Sequence, residues 1–155
     1  VIKLPEIHAT AVVPGRTPEE LWAVVKDSPA FAPRAPHVIG VRVLDSGNRE
    51  SRSTEWTVLL NGSEVTWVQN ESTRPGLRLC FEQTAGDLER LAGEWSVVEN
   101  SAGAQVGLSV SFELGIDGLA PLLNPIWAQS LQAHAEALLR VVSTTGLPAN
   151  GSDQT

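Results

Sequence analysis

The chain has 155 residues, which suits one domain and leaves little room for two. Hydrophobic residues make up 42% and charged residues 19%, so the chain can bury a core. The formal net charge of -7 argues against partners held by phosphate neutralisation, both nucleic acids and anionic lipid surfaces.

The first predicted element is a strand over 7–13, ended by Pro14 and Gly15. Thr17, Pro18, Glu19 and Glu20 then spell a helix start: an N-cap, a proline at the first helical position and acids in the first turn. Glu20 stands three residues after Thr17, the capping-box spacing. This helix is expected to be short, because Pro29, Pro33 and Pro36 break regular structure after it. Six strands are predicted next, over 38–44, 51–60, 63–71, 77–83, 88–98 and 105–114. The turns between them are Asp45-Ser46-Gly47-Asn48, Asn61-Gly62, Arg74-Pro75-Gly76, Gly86-Asp87 and 100–103. Asn61-Gly62 is the strongest hairpin signal, since both residues accept positive φ. Short turns between consecutive strands imply an antiparallel meander. From about Leu119 to Val142 the apolar residues recur at helical spacing (Leu123, Trp127, Leu131, Leu138, Val141), and Gly146 and Pro148 stop the helix. Residues 1–147 are therefore read as one domain, and 148–155 as a polar, disordered tail. A long amphipathic helix must bury its stripe on the sheet, and a twisted seven-stranded sheet can curl around it and leave a cavity.

Several chemistries lack their signatures. Cys80 is the single cysteine, so an internal disulfide and a cysteine-based zinc site are excluded. Its alternating strand predicts a buried, inert thiol. There is no paired His or carboxylate spacing for a metal, no phosphate loop and no serine-hydrolase elbow, so no cofactor is expected. No basic leader and no apolar run long enough to span a bilayer is present, which predicts a cytoplasmic protein.

The segment from Trp56 to Trp67 carries a W…NG…W pattern, followed by Leu79-Cys80-Phe81-Glu82-Gln83, Gly86-Asp87-Leu88 and Gly93-Glu94-Trp95. In order and spacing this resembles the polyketide cyclase/aromatase branch of the START-like (SRPBCC) superfamily. It is similar also to the coenzyme Q-binding branch. The resemblance implies an α+β helix-grip fold, with a curved antiparallel sheet around the C-terminal helix and an internal hydrophobic cavity. It also implies aldol ring closure of a poly-keto chain, with possible loss of water. An acyl carrier protein could deliver that chain to a monomer or homodimer, with no nucleic acid or membrane involved.

Strand alternation sets Trp56, Val58 and Leu60 on one face of the first hairpin strand, and Val65, Trp67, Gln69 and Glu71 on one face of the return strand. Trp67 resembles the family's cavity tryptophan, which turns its set inward. Glu71 then falls where related aromatase/cyclases carry an arginine. It is a candidate base, or it lies at a frayed strand end in water. Gln69 and Gln83 could hydrogen-bond a ketone, or bridge strands internally. His134 lies three residues after Leu131 and four before Leu138, on the sheet-facing side of the helix, and is the candidate proton shuttle or a satisfied core histidine. Trp56, Trp67, Phe81, Trp95, Trp127 and Leu131 are the candidate apolar wall for a flat ligand, against ordinary core packing. Asn124 lines the cavity mouth or caps the helix ahead of Pro125. His8 and His37 receive no role.

Three functions follow: a cyclase using His134 or Glu71 to move a proton, a non-catalytic carrier of a quinone, lipid or polyketide, and, last, a partner-binding domain. Pairing of Glu71, Gln69 and His134 with one another or with backbone, leaving apolar atoms on the void, would favour the carrier.

Overall fold

The computed structural model describes residues 4–48, 51–115 and 120–145. The elements are β1 (Glu6–Pro14), α1 (Pro18–Val25), α2 (Ser28–Phe31), a 3-10 turn (Ala32–Arg34), β2 (Val38–Asn48), β3 (Ser51–Leu60), β4 (Ser63–Arg74), β5 (Arg78–Gly86), β6 (Arg90–Asn100), β7 (Gly103–Glu113) and α3 (Ala120–Thr144). The capping box opening α1 is complete: Thr17 accepts from the Glu20 amide and Glu20 accepts from the Thr17 amide. The proline-rich stretch is more regular than expected. Pro29 and Pro33 fall in the first turns of α2 and the 3-10 turn, where a fixed φ fits and the missing amide proton costs no helical bond.

One seven-stranded antiparallel sheet runs in the order β1-β7-β6-β5-β4-β3-β2. The meander is closed by β1, which returns to pair with β7 along its whole length. Asn61 and Gly62 both have positive φ (52° and 79°) and make the two-residue turn between β3 and β4. That turn fixes the register Leu60↔Ser63, Trp56↔Trp67, Thr54↔Gln69 and Arg52↔Glu71. At the other end of β3 the predicted turn over Asp45–Asn48 is displaced. Register shifts carry β2 past Asp45, and Asn48 pairs with Ser51, so Asp45–Asn48 belongs to the strand.

The long helix α3 lies over β1 and β7 and reaches β3, while α1 packs on β6 and β7. This is the helix-grip arrangement, and the core lies between the concave face of the sheet and the helix. Alternation on β7 buries Ala104, Val106, Leu108, Val110 and Phe112, and on α3 buries Leu131, His134, Ala135, Leu138, Leu139 and Val142. Gly93 is needed here: a Cβ at this position would stand 2.1 Å from the Ser109 carbonyl oxygen and 2.6 Å from the Phe81 ring. Its bare backbone lets Phe81 lie against β6.

Two further expectations change. Helix α3 already includes Asn124 and Pro125, so Asn124 is not an N-cap. Pro125 is the sixth residue of the helix, past the amides that lack a partner, so it forfeits one intrahelical bond. Cys80 is half-buried rather than fully buried, because Leu79 and Phe81 take the inward positions of β5 and leave it on the convex face. Leu119, Gly146, Pro148 and the tail from Ala149 to Thr155 lie outside the described residues.

Candidate functional site

The register of the β3–β4 hairpin brings Trp56 and Trp67 side by side on the concave face. Their rings stack with centroids 5.8 Å apart and planes 6° from parallel. From α3, His134 stands edge-on to both, at 6.1 Å from each ring. Phe31 of α2 meets Trp95 edge-to-face at 5.7 Å. Between these groups lies a cavity of about 20 Å3, lined by Trp56, Trp67, Gln69, Phe81, Trp95, Leu131 and His134 together with Leu91, Leu108, Val110 and Leu138. That volume admits a single water, whereas pockets for drug-sized ligands measure roughly 300–1,000 Å3. Trp56, Trp67, Phe81, Trp95 and Leu131 thus meet around one small void, and Trp127, expected in the same wall, does not reach it.

Buried polar groups form two separate sets. The first centres on Glu71, only 2% exposed. Arg52 Nε donates to its Oε1 at 2.8 Å, and Thr54 Oγ1 and Gln69 Nε2 donate to its Oε2 at 2.6 and 2.8 Å. The network extends outward. Trp67 Nε1 donates to Gln69 Oε1 at 2.7 Å, and Trp56 Nε1 to Thr54 Oγ1 at 3.1 Å. Arg52 also donates to the Lys26 carbonyl and to Ser28 Oγ, fastening the segment between α1 and α2 to β3. Glu71 is therefore not at a frayed end in water; it is a carboxylate held by a cation and two neutral donors.

The second set is a histidine pair. His134 Nδ1 and His37 Nε2 are 2.5 Å apart, with ring centroids 4.8 Å apart and planes 86° apart. His134 is buried and His37, just ahead of β2, is half-buried. Burial, and then the neighbouring His37, push the His134 pKa down to about 3. His37 is lowered too, by burial first and by the charge of Arg140 second. Both imidazoles are neutral at pH 7, so the contact is an N–H···N bond. His134 Nε2 has no hydrogen-bond partner among the described residues, and neither has the indole N–H of Trp95.

Three expected residues fall elsewhere. Gln83 donates to the Leu88 carbonyl at 2.7 Å and lines a separate surface recess with Glu89, Arg90 and Ser111. The sheet opens there, because β5–β6 pairing stops at Glu82↔Ala92. Asn124 and Trp127, near the start of α3, do not line the cavity. Trp127 packs partly buried against the core, and the Asn124 side-chain oxygen is buried without a partner among the described residues. Sequence reasoning missed Arg52, Thr54 and His37. The two-residue hairpin carried a signal for the first two, since it sets Arg52 across from Glu71 and Thr54 across from Gln69. No sequence signal joins His37 to His134.

Among the described residues no group of histidine, cysteine, aspartate or glutamate side chains could hold a metal ion, and no helix is long and apolar enough to cross a membrane.

A curved sheet gripping a helix over an aromatic-walled cavity defines a START-like protein. Solved structures agree. TTHA0849 from Thermus thermophilus is similar with a TM-score of 0.82 and 26% identity, over 90% of this chain and 94% of that one. The Zhui aromatase/cyclase from Streptomyces sp. R1128 superposes with a TM-score of 0.79 at 17% identity, over 91% and 92% of the two chains. A START superfamily protein from Mycobacterium smegmatis gives 0.73 at 18% identity, over 88% and 96%. No curated protein matches in sequence. The profile of the polyketide cyclase / dehydrase and lipid transport family matches residues 15–140, and the chain belongs to that family.

Proposed function

We propose that this protein binds a planar, carbonyl-bearing small molecule of polyketide type against Trp56 and Trp67 and promotes its intramolecular ring closure, with His134 as the group that exchanges a proton with it. The observation that carries this reading is a neutral imidazole, set edge-on to two stacked indoles, whose Nε2 meets no hydrogen-bond partner among the described residues. A neutral imidazole can accept a proton from a carbon beside a carbonyl, or donate a hydrogen bond to the carbonyl itself. Trp95 offers one more unengaged donor. Glu71 is given a structural role instead, because its oxygens are already taken by Arg52, Thr54 and Gln69. Admission of a ligand requires α3 to lift. Its early residues Leu122 and Ile126 are exposed at 71% and 45%, while its buried positions begin at Leu131, so the start of the helix is the proposed entrance.

The carrier reading also has an observation in its favour: Glu71 and Gln69 are consumed in an internal network, which leaves an almost wholly apolar lining. One probe separates the two. 2-Tetralone is a flat bicyclic ketone whose hydrogens beside the carbonyl exchange with heavy water, a change read by proton NMR. The cyclase reading expects the protein to accelerate this exchange, and His134→Gln to lose about a hundredfold of the acceleration while binding, followed by tryptophan fluorescence, persists. Binding without any acceleration would leave the carrier reading standing.

A further inference from the structure

We propose that His37 and His134 form a two-imidazole relay that carries a proton between the cavity and solvent, so that His134 exchanges protons with a ligand while staying neutral. This rests on the proposed role of His134 and adds to it the route by which the proton leaves.

The geometry is a file of four nitrogens. His134 lines the cavity from α3, and its Nε2 has no hydrogen-bond partner among the described residues. Its Nδ1 meets His37 Nε2. His37 is half-buried, between the cavity wall and the surface, and its Nδ1 has no hydrogen-bond partner among the described residues. The backbone holds His37 in place. Its carbonyl accepts from the Leu59 amide at 2.8 Å, and Val38 N bonds back to the Ala35 carbonyl at 3.0 Å. The ring is thus set by the 3-10 turn and by β3, independently of α3.

A lone buried histidine would serve poorly as a base here. Taking a proton would make an imidazolium among stacked indoles and leucines, with Arg140 on α3 adding repulsion at His37, and burial without a counter-charge is costly. The pair removes that difficulty by moving three protons in concert. In the starting state His134 carries its proton on Nδ1 and His37 on its own Nδ1. The ligand's C–H proton passes to His134 Nε2, and the C–H electron pair remains on the ligand as an enolate. At the same time the His134 Nδ1 proton passes to His37 Nε2, and the His37 Nδ1 proton leaves to water. Both rings end neutral with their tautomers exchanged, and one proton has moved from ligand to solvent. Reversal resupplies it. Nothing is oxidised or reduced. The Glu71 cluster cannot substitute, since Arg52, Thr54 and Gln69 already occupy its carboxylate.

The test uses the full chain and 2-tetralone. His37→Gln keeps a side chain able to hydrogen-bond His134 Nδ1 but unable to pass a proton on. The expected result is an exchange rate lowered about tenfold or more, with the tetralone Kd within about twofold of wild type. Adding free imidazole to His37→Ala is expected to restore part of the rate, which a merely structural role for His37 would not explain. Wild-type exchange in His37→Gln, with His134→Gln impaired, would overturn the relay and leave the role of His134 intact. No acceleration in the wild-type protein would overturn both. A second measurement needs no variant. A 15N scalar coupling between the two ring nitrogens is expected across the shared hydrogen bond, and its absence in the folded protein would overturn the relay.

Discussion

The Glu71 cluster and the His37–His134 pair are both buried polar groups beside the same stacked tryptophans, yet they are finished differently. Glu71 is charged, and its oxygens are met by donors from its own and the neighbouring strand. His134 is neutral and lines the cavity with one hydrogen-bond partner, and its second ring nitrogen has none among the described residues. A buried charge must be paired and hydrogen-bonded to persist, so the carboxylate is the more constrained and the less available of the two. A neutral imidazole can remain half-satisfied at lower cost. Chemical availability in this core therefore follows incomplete pairing rather than charge.

The comparison breaks most readily at Arg52. Arg52→Ala removes the cation beside a carboxylate 2% exposed and also releases the Lys26 carbonyl and Ser28. The expected loss is about 3 kcal/mol in urea denaturation, near the lower end for breaking a buried pair because the arginine is itself partly exposed. The double variant Arg52→Met/Glu71→Leu should lose less than Arg52→Ala alone, since it removes the stranded charge together with its partner. A cost below about 1 kcal/mol for Arg52→Ala, the ordinary range of surface pairs, would show that water reaches Glu71 and that the cluster is not closed.

The histidine pair makes the opposite kind of prediction, one of pH. His134 titrates near 6.5 in the unfolded chain and near about 3 in the folded protein. Between these values the unfolded state binds more protons, so stability is complete above about pH 6.5 and falls as pH drops toward 3. Between pH 7 and pH 5 the loss attributable to this residue is about 2 kcal/mol, about 1.5 pKa units at 1.36 kcal/mol each. His134→Gln should lack that component, so urea midpoints for the two proteins should converge at pH 5 relative to pH 7. Parallel curves would mean that His134 is solvated in the folded state.

Much of the sheet was legible because strand alternation and turn chemistry are local. Asn61-Gly62 fixed one register, and every inward residue of β3 and β4 follows from it: Trp56 with Trp67, Thr54 with Gln69, Arg52 with Glu71. The same count places a cation opposite Glu71, so the character of that cluster was contained in the spacing. The histidine pair was not. His37 and His134 are separated by 97 positions, and their meeting depends on how α3 is rotated over the sheet, which no local periodicity specifies. For the same reason the helical stripe pointed to Trp127 and Asn124 as cavity residues, whereas only the later half of the helix reaches the cavity. Gln83 is displaced by a gap in β5–β6 pairing that alternation within one strand cannot reveal.

The smallest expected effect tests how tightly the Glu71 cluster is coupled to the aromatic wall. Thr54 accepts from Trp56 Nε1 and donates to Glu71 Oε2, so it joins one indole to the carboxylate as Gln69 joins the other. Thr54→Val keeps the shape and removes both bonds. The expected cost is about 1–2 kcal/mol, because an indole N–H is left without its acceptor while Glu71 keeps Arg52 and Gln69. Its second expected effect is local: with its N–H released, Trp56 can slide on Trp67, and the binding of 2-tetralone should weaken severalfold while His134 and His37 keep their scalar coupling. If stability falls while tetralone affinity is unchanged, the wall is held by packing alone, and the two polar sets are independent of each other.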